Sequence, residues 1–403
     1  MRCLAKNIAH VFVLAACLHV GAANAEAWQF IPTIYLTERY NDNINFSSSD
    51  EKSVLESQLR SRLSFSRLTE VSEVTGRLHA NFSTYSKDDE FFTFSSHYRF
   101  TELSQWRMKG FFQRDTTARS IELVQSSVPD EEDLQLTPDD VDDGLVQIEL
   151  RRNTVRLEPT IEYKLTERLT HGVSYKFDGV FYENNYVETG LFGYNQHSVG
   201  SSLAYGLSQR DGVVVGVAGS RFSSKSNANI VTDRLAIQVR YKRLLSELMQ
   251  TELSIGTAKI VSESDVESSN GQSYFFNANI LYNEKLNRIK LEIGRDVRPS
   301  GSGSLVEISN IRIDVRRRFL EKLSGSLRVR AFETKQSRKQ ARLASENTRY
   351  VANLDTSFSW EFNRWWGVEA GYSYRIRNEK NSTNDADGNS IFASVRYSKR
   401  ASF

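Results

Sequence analysis

The chain has 403 residues, of which 39% are hydrophobic, 25% charged and 11% aromatic, with a formal net charge of +2 and a mean hydropathy of −0.47. A polytopic helical membrane protein is excluded, because no stretch beyond the N-terminus approaches ~20 consecutive apolar residues. The 23 Phe, 17 Tyr and 5 Trp exclude a chain that never folds, and the charge balance gives no electrostatic footprint for nucleic acid. A polar average with many aromatics fits strands that show one apolar and one polar face.

Residues 1–25 have the form of a secretion signal. Arg2 and Lys6 precede an apolar run from Ile8 to Ala16, and Ala23-Asn24-Ala25 stands before Glu26 as a cleavage site. Leu14-Ala15-Ala16-Cys17 also has the form of a lipobox, which would place a lipid on Cys17. Small and apolar residues continue to Ala25 and favour cleavage there. The expected mature unit is then one domain over 26–403. Loss of Arg2 and Lys6 leaves it 50 Lys+Arg against 50 Asp+Glu. Both cysteines, Cys3 and Cys17, go with the signal, so a disulfide scaffold and a cysteine metal site are excluded.

Beyond the signal the chain alternates with period two, the pattern of half-exposed strands. Val155, Leu157, Pro159, Ile161, Tyr163 and Leu165 alternate with Thr154, Arg156, Glu158, Thr160, Glu162 and Lys164. Leu235, Ile237, Val239 and Tyr241 alternate with Arg234, Gln238, Arg240 and Lys242. Tyr350, Ala352, Leu354, Thr356, Phe358, Trp360 and Phe362 do the same against Asn353, Asp355, Ser357, Ser359 and Glu361.

Short turns recur at 67–73, 101–105, 166–169, 208–212, 244–247, 283–287, 319–324 and 363–366, several with a shared form such as Tyr163-Lys164-Leu165-Thr166-Glu167-Arg168. Longer polar connections lie between them at 41–53, 87–91, 119–153, 183–195, 223–232, 262–273, 298–306, 334–347 and 378–390. Nine loops alternating with eight turns predict an all-β, antiparallel up-and-down transmembrane β-barrel of about 18 strands (16–18). Short turns would face the periplasm and long loops the outside. The last strand, Ile391, Ala393, Val395, Tyr397, Lys399, Ala401, Phe403, ends on an aromatic residue in phase with its apolar face. That form resembles the signal read by the barrel-insertion machinery of Gram-negative bacteria, with Phe403 as its terminal residue.

Aromatics cluster beside the short turns: Trp28, Phe30, Tyr98, Phe100, Trp106, Tyr163, Tyr205, Tyr241, Tyr282, Phe319, Trp360, Phe362, Trp365 and Trp366. Apolar rings with polar tips favour the headgroup level of a membrane. The competing assignment is the core of a soluble sandwich. Against it stands the other parity, which is heavily charged. Its basic residues include Arg60, Arg62, Arg77, Arg107, Lys109, Arg156, Arg240, Arg312, Arg316, Arg328, Arg330, Arg375 and Arg396. Burial of so many charges in a dry core costs several kcal/mol per ion even after pairing, and a wet lumen avoids most of that cost. Two roles stay open for these residues: mutual ion pairing that stiffens the wall, or a water-filled path with a basic bias.

The longest connection, 119–153, carries Asp130, Glu131, Glu132, Asp133, Asp139, Asp140, Asp142 and Asp143. A structureless loop of that length is uncommon unless functional or disordered. It is expected either to fold into the basic lumen as a gate or to stay outside as a solvated loop that binds divalent cations at the lipopolysaccharide surface.

Signs of an enzyme are sparse. No H-E-x-x-H or G-x-S-x-G occurs. His79, His97, His171 and His197 are isolated in sequence. A lipid-hydrolysing barrel would need a Ser–His pair on its lipid-facing wall, and His197 finds no nucleophile by sequence. Asp265, Glu267, Asp385 and Asp387 fit solvated loop charges better than calcium ligands. No cofactor and no metal is expected.

Val297-Arg298-Pro299-Ser300-Gly301-Ser302-Gly303-Ser304-Leu305-Val306-Glu307, between two alternating strands, resembles a signature loop of the PEP-CTERM/exosortase-system-associated outer-membrane proteins, a group of β-barrel porins from exopolysaccharide loci. Arg151-Arg152-Asn153-Thr154, the repeated turns and the terminal Phe fit as well. The resemblance covers essentially the whole of 26–403. It implies export of polysaccharide or assembly of a surface polymer, with polysaccharide and periplasmic export proteins as partners beside outer-membrane lipid and lipopolysaccharide. It brings no catalytic residues. A general solute or anion diffusion porin, and a plugged structural barrel, are the alternatives.

Overall fold

Alternating side chains on a pleated strand give each segment one apolar and one polar face, and only a closed sheet can place the apolar face against lipid without exposing unpaired backbone. The computed structural model has this form. It describes residues 28–48, 51–85, 89–116, 150–183, 192–224, 229–265, 268–299, 305–336, 348–380, 385–399 and 401–402. In chain order the strands are β1 (Gln29–Asn41), β2 (Val54–Leu68), β3 (Ser72–Ser83), β4 (Asp89–Arg99), β5 (Ser104–Thr116) and β6 (Arg151–Lys164). Then come β7 (Leu169–Tyr182), β8 (Tyr194–Gly206), β9 (Asp211–Ser224), β10 (Val231–Leu244), β11 (Met249–Glu263) and β12 (Ser268–Asn283). The last are β13 (Asn287–Pro299), β14 (Leu305–Leu320), β15 (Leu323–Gln336), β16 (Thr348–Glu361), β17 (Trp366–Glu379), β18 (Ala386–Ser398) and the two-residue β19 (Ala401–Ser402).

Each strand pairs antiparallel with its sequence neighbours, and β1 pairs with both β2 and β18, which closes the sheet. Among the described residues this is an eighteen-stranded up-and-down barrel, with β19 extending the seam against Gln29 and Phe30. No helix long and apolar enough to cross a membrane is present among the described residues.

The expected connections shift at their edges. The loop expected at 262–273 shrinks to the four residues between β11 and β12, and Arg151, Arg152 and Asn153 belong to β6 rather than to the long loop. The loop expected at 87–91 lies earlier, because β4 starts at Asp89. Cross-strand hydrogen bonding needs no apolar face, so polar strand ends such as Ser268–Gln272 continue the ladder beyond the apolar belt. The signal at 1–25, the acidic residues Asp130, Glu131, Glu132, Asp133, Asp139, Asp140, Asp142 and Asp143, the stretch 300–304 and Phe403 lie outside the described residues.

The repeated turn sequence has a local cause. At its first position a Ser, Thr or Asn side-chain oxygen accepts backbone N–H groups two and three residues on, satisfying donors the ladder leaves free. Thr101 accepts from Leu103 and Ser104, Thr166 from Arg168 and Leu169, Ser208 from Arg210 and Asp211, and Asn363 from Trp365 and Trp366.

A second local rule is not apparent from alternation. Phe65, Phe94, Phe275, Phe358 and Phe392 stand directly across from Gly76, Gly110, Gly256, Gly325 and Gly371. Each ring lies over the glycine it faces, shielding a position that packs poorly alone. A Cβ on Gly256 would meet Phe275 at 2.2 Å and the Ile237 carbonyl at 2.6 Å. Gly256→Ala is therefore expected to destabilise the barrel by about 1–3 kcal/mol through overpacking. The urea midpoint in detergent checks this, and an unchanged midpoint would refute it.

The two faces separate cleanly. Ile255 is 66% exposed, Ile391 59% and Leu235 56%, while their sequence neighbours turn inward. The turn-side aromatics Tyr98, Trp106, Tyr163, Tyr205, Tyr241 and Tyr282 share this outer parity, on β4, β5, β6, β8, β10 and β12, as a girdle. Towards the loops the apolar wall ends in outward ion pairs, Arg221–Asp233 at 2.8 Å and Arg295–Glu307 at 2.7 Å.

Candidate functional site

The inner parity is charged because the same alternation that exports Val, Ile and Leu imports what lies between them. Every basic residue of the expected ladder stands on it: Arg60, Arg62, Arg77, Arg107, Lys109, Arg156, Arg240, Arg312, Arg316, Arg328, Arg330, Arg375 and Arg396. Arg39, Arg152, Arg234, Arg349 and Arg377 join them. Arg234 already alternates with Leu235 and Ile237 in the sequence; the other four escape sequence reading because they lie near loop boundaries. Their phase with neighbouring strand residues was the signal that could have found them.

Much of the wall is ion-paired. Glu162 takes Arg107, Asp178 takes Arg156 and Lys176, Glu252 takes Arg240 and Lys242, and Glu361 takes Arg396. Asp314 binds two guanidiniums, with Arg312 Nε at 2.5 Å and Arg328 Nε at 2.7 Å. Near the loop-side end of β5 and β6, Arg152 forks onto Asp115 at 2.8 and 3.1 Å, and both side chains are buried. Basic groups still outnumber acidic ones on the inner parity.

The charge is unevenly distributed. On β7 to β11 the inner parity carries Ser174, Gly200, Ser202, Gly216, Ala218, Ala236 and Gly256, with side chains too short to cross the lumen. A cavity of about 450 Å³ opens there, bounded by Arg234 and Arg240 on β10 and by Asn277, Arg298 and Asn310 on β12 to β14.

The described part of the first long loop turns into the barrel. Asn43 donates to the carbonyls of Ser47 and Asp387, each at 2.8 Å, and its Cβ packs beside Gly388 on the inner face of β18. Phe46 is buried with φ of 49°, and the guanidiniums of Arg375 and Arg377 stand 5.2 and 5.1 Å from its ring centroid. Sequence reading raised inward folding only for the acidic loop, beside a solvated external position for it; the described residues place an inward element at 42–48.

The lipid-facing wall does hold a Ser–His pair, between His171 and Ser201 at 3.0 Å, and a Tyr175–His197 pair at 2.7 Å. The Ser201 and His171 backbones run within the β7–β8 ladder, so their N–H groups are committed to the sheet. Removing the partner of a lipid-facing polar group would leave it unsatisfied in hydrocarbon, and pairing answers that need. Asp265 accepts from Asn229 and Asp385 from Asn378, and no cluster of three metal-ligating side chains occurs among the described residues. Beyond the end of β7, burial pushes the Glu183 carboxyl up, but hydrogen bonds from Asn153 and Arg114 and the charges of Arg114 and Arg151 outweigh it and hold it below the ordinary range.

A closed antiparallel sheet with an apolar outer wall, an aromatic girdle and a charged interior is a transmembrane barrel of the bacterial outer membrane, porin-like in fold. No family model matches the chain, and no curated protein matches it. Among solved structures it is similar to OccK2 (OpdF) of Pseudomonas aeruginosa, with 8% identity over 92% of this chain and 98% of that one and a TM-score of 0.49. It is also similar to OpdO of the same organism, with 11% identity, coverage of 93% and 97% and a TM-score of 0.48. For OccAB2 of Acinetobacter baumannii the values are 8%, 93%, 98% and 0.46. Assignment to the barrel class rests on this chain's own strand pairing and on the two faces of its wall.

Proposed function

We propose that this barrel passes anionic, hydroxyl-rich solutes across the outer membrane, serving exopolysaccharide export or surface-polymer assembly. The observation that carries the proposal is the net basic inner parity facing a lane of Gly, Ala and Ser. Guanidinium forks match carboxylates and sulfates, and a water-filled conduit with charged, low-dielectric walls concentrates ions of opposite sign. The Val297–Glu307 resemblance supports a polymer as the solute and a periplasmic export protein as partner. The outward pairs Arg221–Asp233 and Arg295–Glu307 fit contact with lipopolysaccharide headgroups.

Planar-bilayer recording tests it. Under a KCl gradient the reversal potential should show anion preference, and Arg312→Ala with Arg316→Ala should reduce it, because lumen charges tune selectivity. Acidic oligosaccharide should block the current from one side. Anion preference without such block favours a general diffusion porin. Cation preference overturns the proposal, and absence of conductance favours a plugged structural barrel.

A further inference from the structure

The cavity of about 450 Å³ beside β7 to β11 has the size of a ligand pocket, a class that runs from about 300 to 1,000 Å³. Strand register sets its polar lining. Across one inner row Arg240 on β10 stands opposite Ser254 on β11, Ser254 opposite Asn277 on β12, Asn277 opposite Gly294 on β13, and Gly294 opposite Asn310 on β14. In the next inner row towards the loops, Ser202 on β8 stands opposite Gly216 on β9, and Gly216 opposite Gln238 on β10. Gly294 has no side chain, and the amides on both sides lean over it. Asn277 Nδ2 and Asn310 Oδ1 lie 3.1 and 3.2 Å from the point a Cβ there would occupy. Gln238 spreads over Gly216 in the same way, with Nε2 3.5 Å from the corresponding point.

The charged groups of this cavity are committed and its uncharged ones are not. Arg240 pairs with Glu252 at 3.2 Å, Arg295 with Glu307 at 2.7 Å, and Arg234 and Arg298 meet Asp296 at 3.2 and 3.6 Å. Arg234 also stands over the Phe275 ring, 5.1 Å from its centroid. By contrast Gln238, Asn277, Asn310, Ser202 and Ser254 line the cavity half-buried, and none has a hydrogen-bond partner among the described residues. An amide offers two donors and an acceptor, and a hydroxyl one donor and two acceptors. An anion asks for donors alone. A mixed, uncharged set matches a ligand whose own groups both donate and accept, which is the property of sugar hydroxyls. Oxygen and nitrogen of an amide are exchangeable assignments, so each amide head can turn to suit either role.

We infer that Gln238, Asn277 and Asn310, with Ser202 and Ser254 beside them, form a subsite for an uncharged sugar unit in the wall of the lumen. For its place in transport the inference rests on the solute-path reading, and it narrows that reading: the amides take the hydroxyl-rich stretch of the solute and arginines elsewhere on the wall take its acidic groups. Binding itself needs no open conduit. Each contact exchanges a water for a sugar hydroxyl, so the net gain per bond is modest. A site on a conduction path must bind well enough to admit a solute and weakly enough to release it. None of the five side chains titrates or carries charge, so binding should be indifferent to salt.

Saturation-transfer NMR on the whole barrel, in an amine-oxide detergent whose headgroup carries no sugar, tests the subsite with maltotriose, cellotriose and trigalacturonate as probes. Wild type should bind at least one of the two neutral trisaccharides saturably. Molar KCl should leave the half-saturating concentration unchanged, because salt screens only charged partners. Asn277→Ala and Asn310→Ala should each raise that concentration by about threefold to tenfold, as expected for loss of one or two neutral hydrogen bonds. Gln238→Leu should do the same and reads the site from a different strand if an asparagine variant does not fold. Absence of saturable binding of both neutral sugars overturns the subsite, and so does undiminished binding in every folded variant. Binding of trigalacturonate alone, lost at high salt, assigns the cavity to its arginines and overturns the subsite as well. Anion-selective conduction without neutral-sugar binding overturns the subsite and leaves the conduit. Neutral-sugar binding by a barrel that prefers cations or does not conduct keeps the subsite and overturns the conduit.

Discussion

Ile237→Arg is expected to destabilise the barrel by about 2–4 kcal/mol, the cost of a basic residue on a lipid-facing wall near the bilayer midplane. Ile237 is 54% exposed and stands midway along β10, across from Val217 on β9 and Thr257 on β11. Its outward neighbours along the strand are Leu235 and Val239, and the apolar run ends at Asp233 on one side and Arg243 on the other. The adjoining Gln238 faces the wide cavity. Gln238→Arg therefore adds the same group one residue away in water, and its effect should stay within about 0.5 kcal/mol. Urea unfolding in lipid vesicles, followed by tryptophan fluorescence, reads both. Equal costs would mean that the two parities do not divide lipid from water.

Asp115→Ala should cost about 3–5 kcal/mol, the range for breaking a buried ion pair from one side. Asp115 is 0% exposed and stands directly opposite Arg152. It accepts from Arg152 Nη2 at 2.8 Å, from Arg152 Nε at 3.1 Å and from Gln113 Nε2 at 2.8 Å. Truncation removes the acceptor for all three donors at once. Replacing both partners, Asp115→Leu with Arg152→Met, should recover most of the loss, since a well-packed apolar pair of similar size often matches a buried ion pair. A double-mutant cycle on urea midpoints gives the coupling. A cost below about 1 kcal/mol for Asp115→Ala would show that the pair is wet.

Most of the architecture is legible in the sequence. Period two along Val155–Leu165 and Tyr350–Phe362 determines which residues face lipid, because successive side chains must point to opposite faces. Turns such as Leu165-Thr166-Glu167-Arg168 declare themselves through a side-chain oxygen that caps its own backbone within three residues. Strand ends were less legible. Ser268–Gln272 and Arg151–Asn153 read as loop because they lack an apolar face, yet their partners across the ladder hold them as strand.

The candidate site divides in the same way. Parity placed the arginines of the ladder on the inner wall, since that property depends only on neighbours along the chain. Which of them share a carboxylate did not follow. Arg312 and Arg328 meet on Asp314 through the β14–β15 register, and Arg330 is left over because of it. The pairing of His171 with Ser201 is likewise diagonal across two strands. Asn43 reaches Asp387 across 344 positions of sequence, and through it Phe46 comes to rest on Arg375 and Arg377. Alternation, turn chemistry and strand number are local and repeat along the chain, so the sequence by itself determined a charged interior behind an apolar wall. Register, closure of β1 on β18 and the inward fold of residues 42–48 set distances between residues far apart in sequence, and only the tertiary structure decided those.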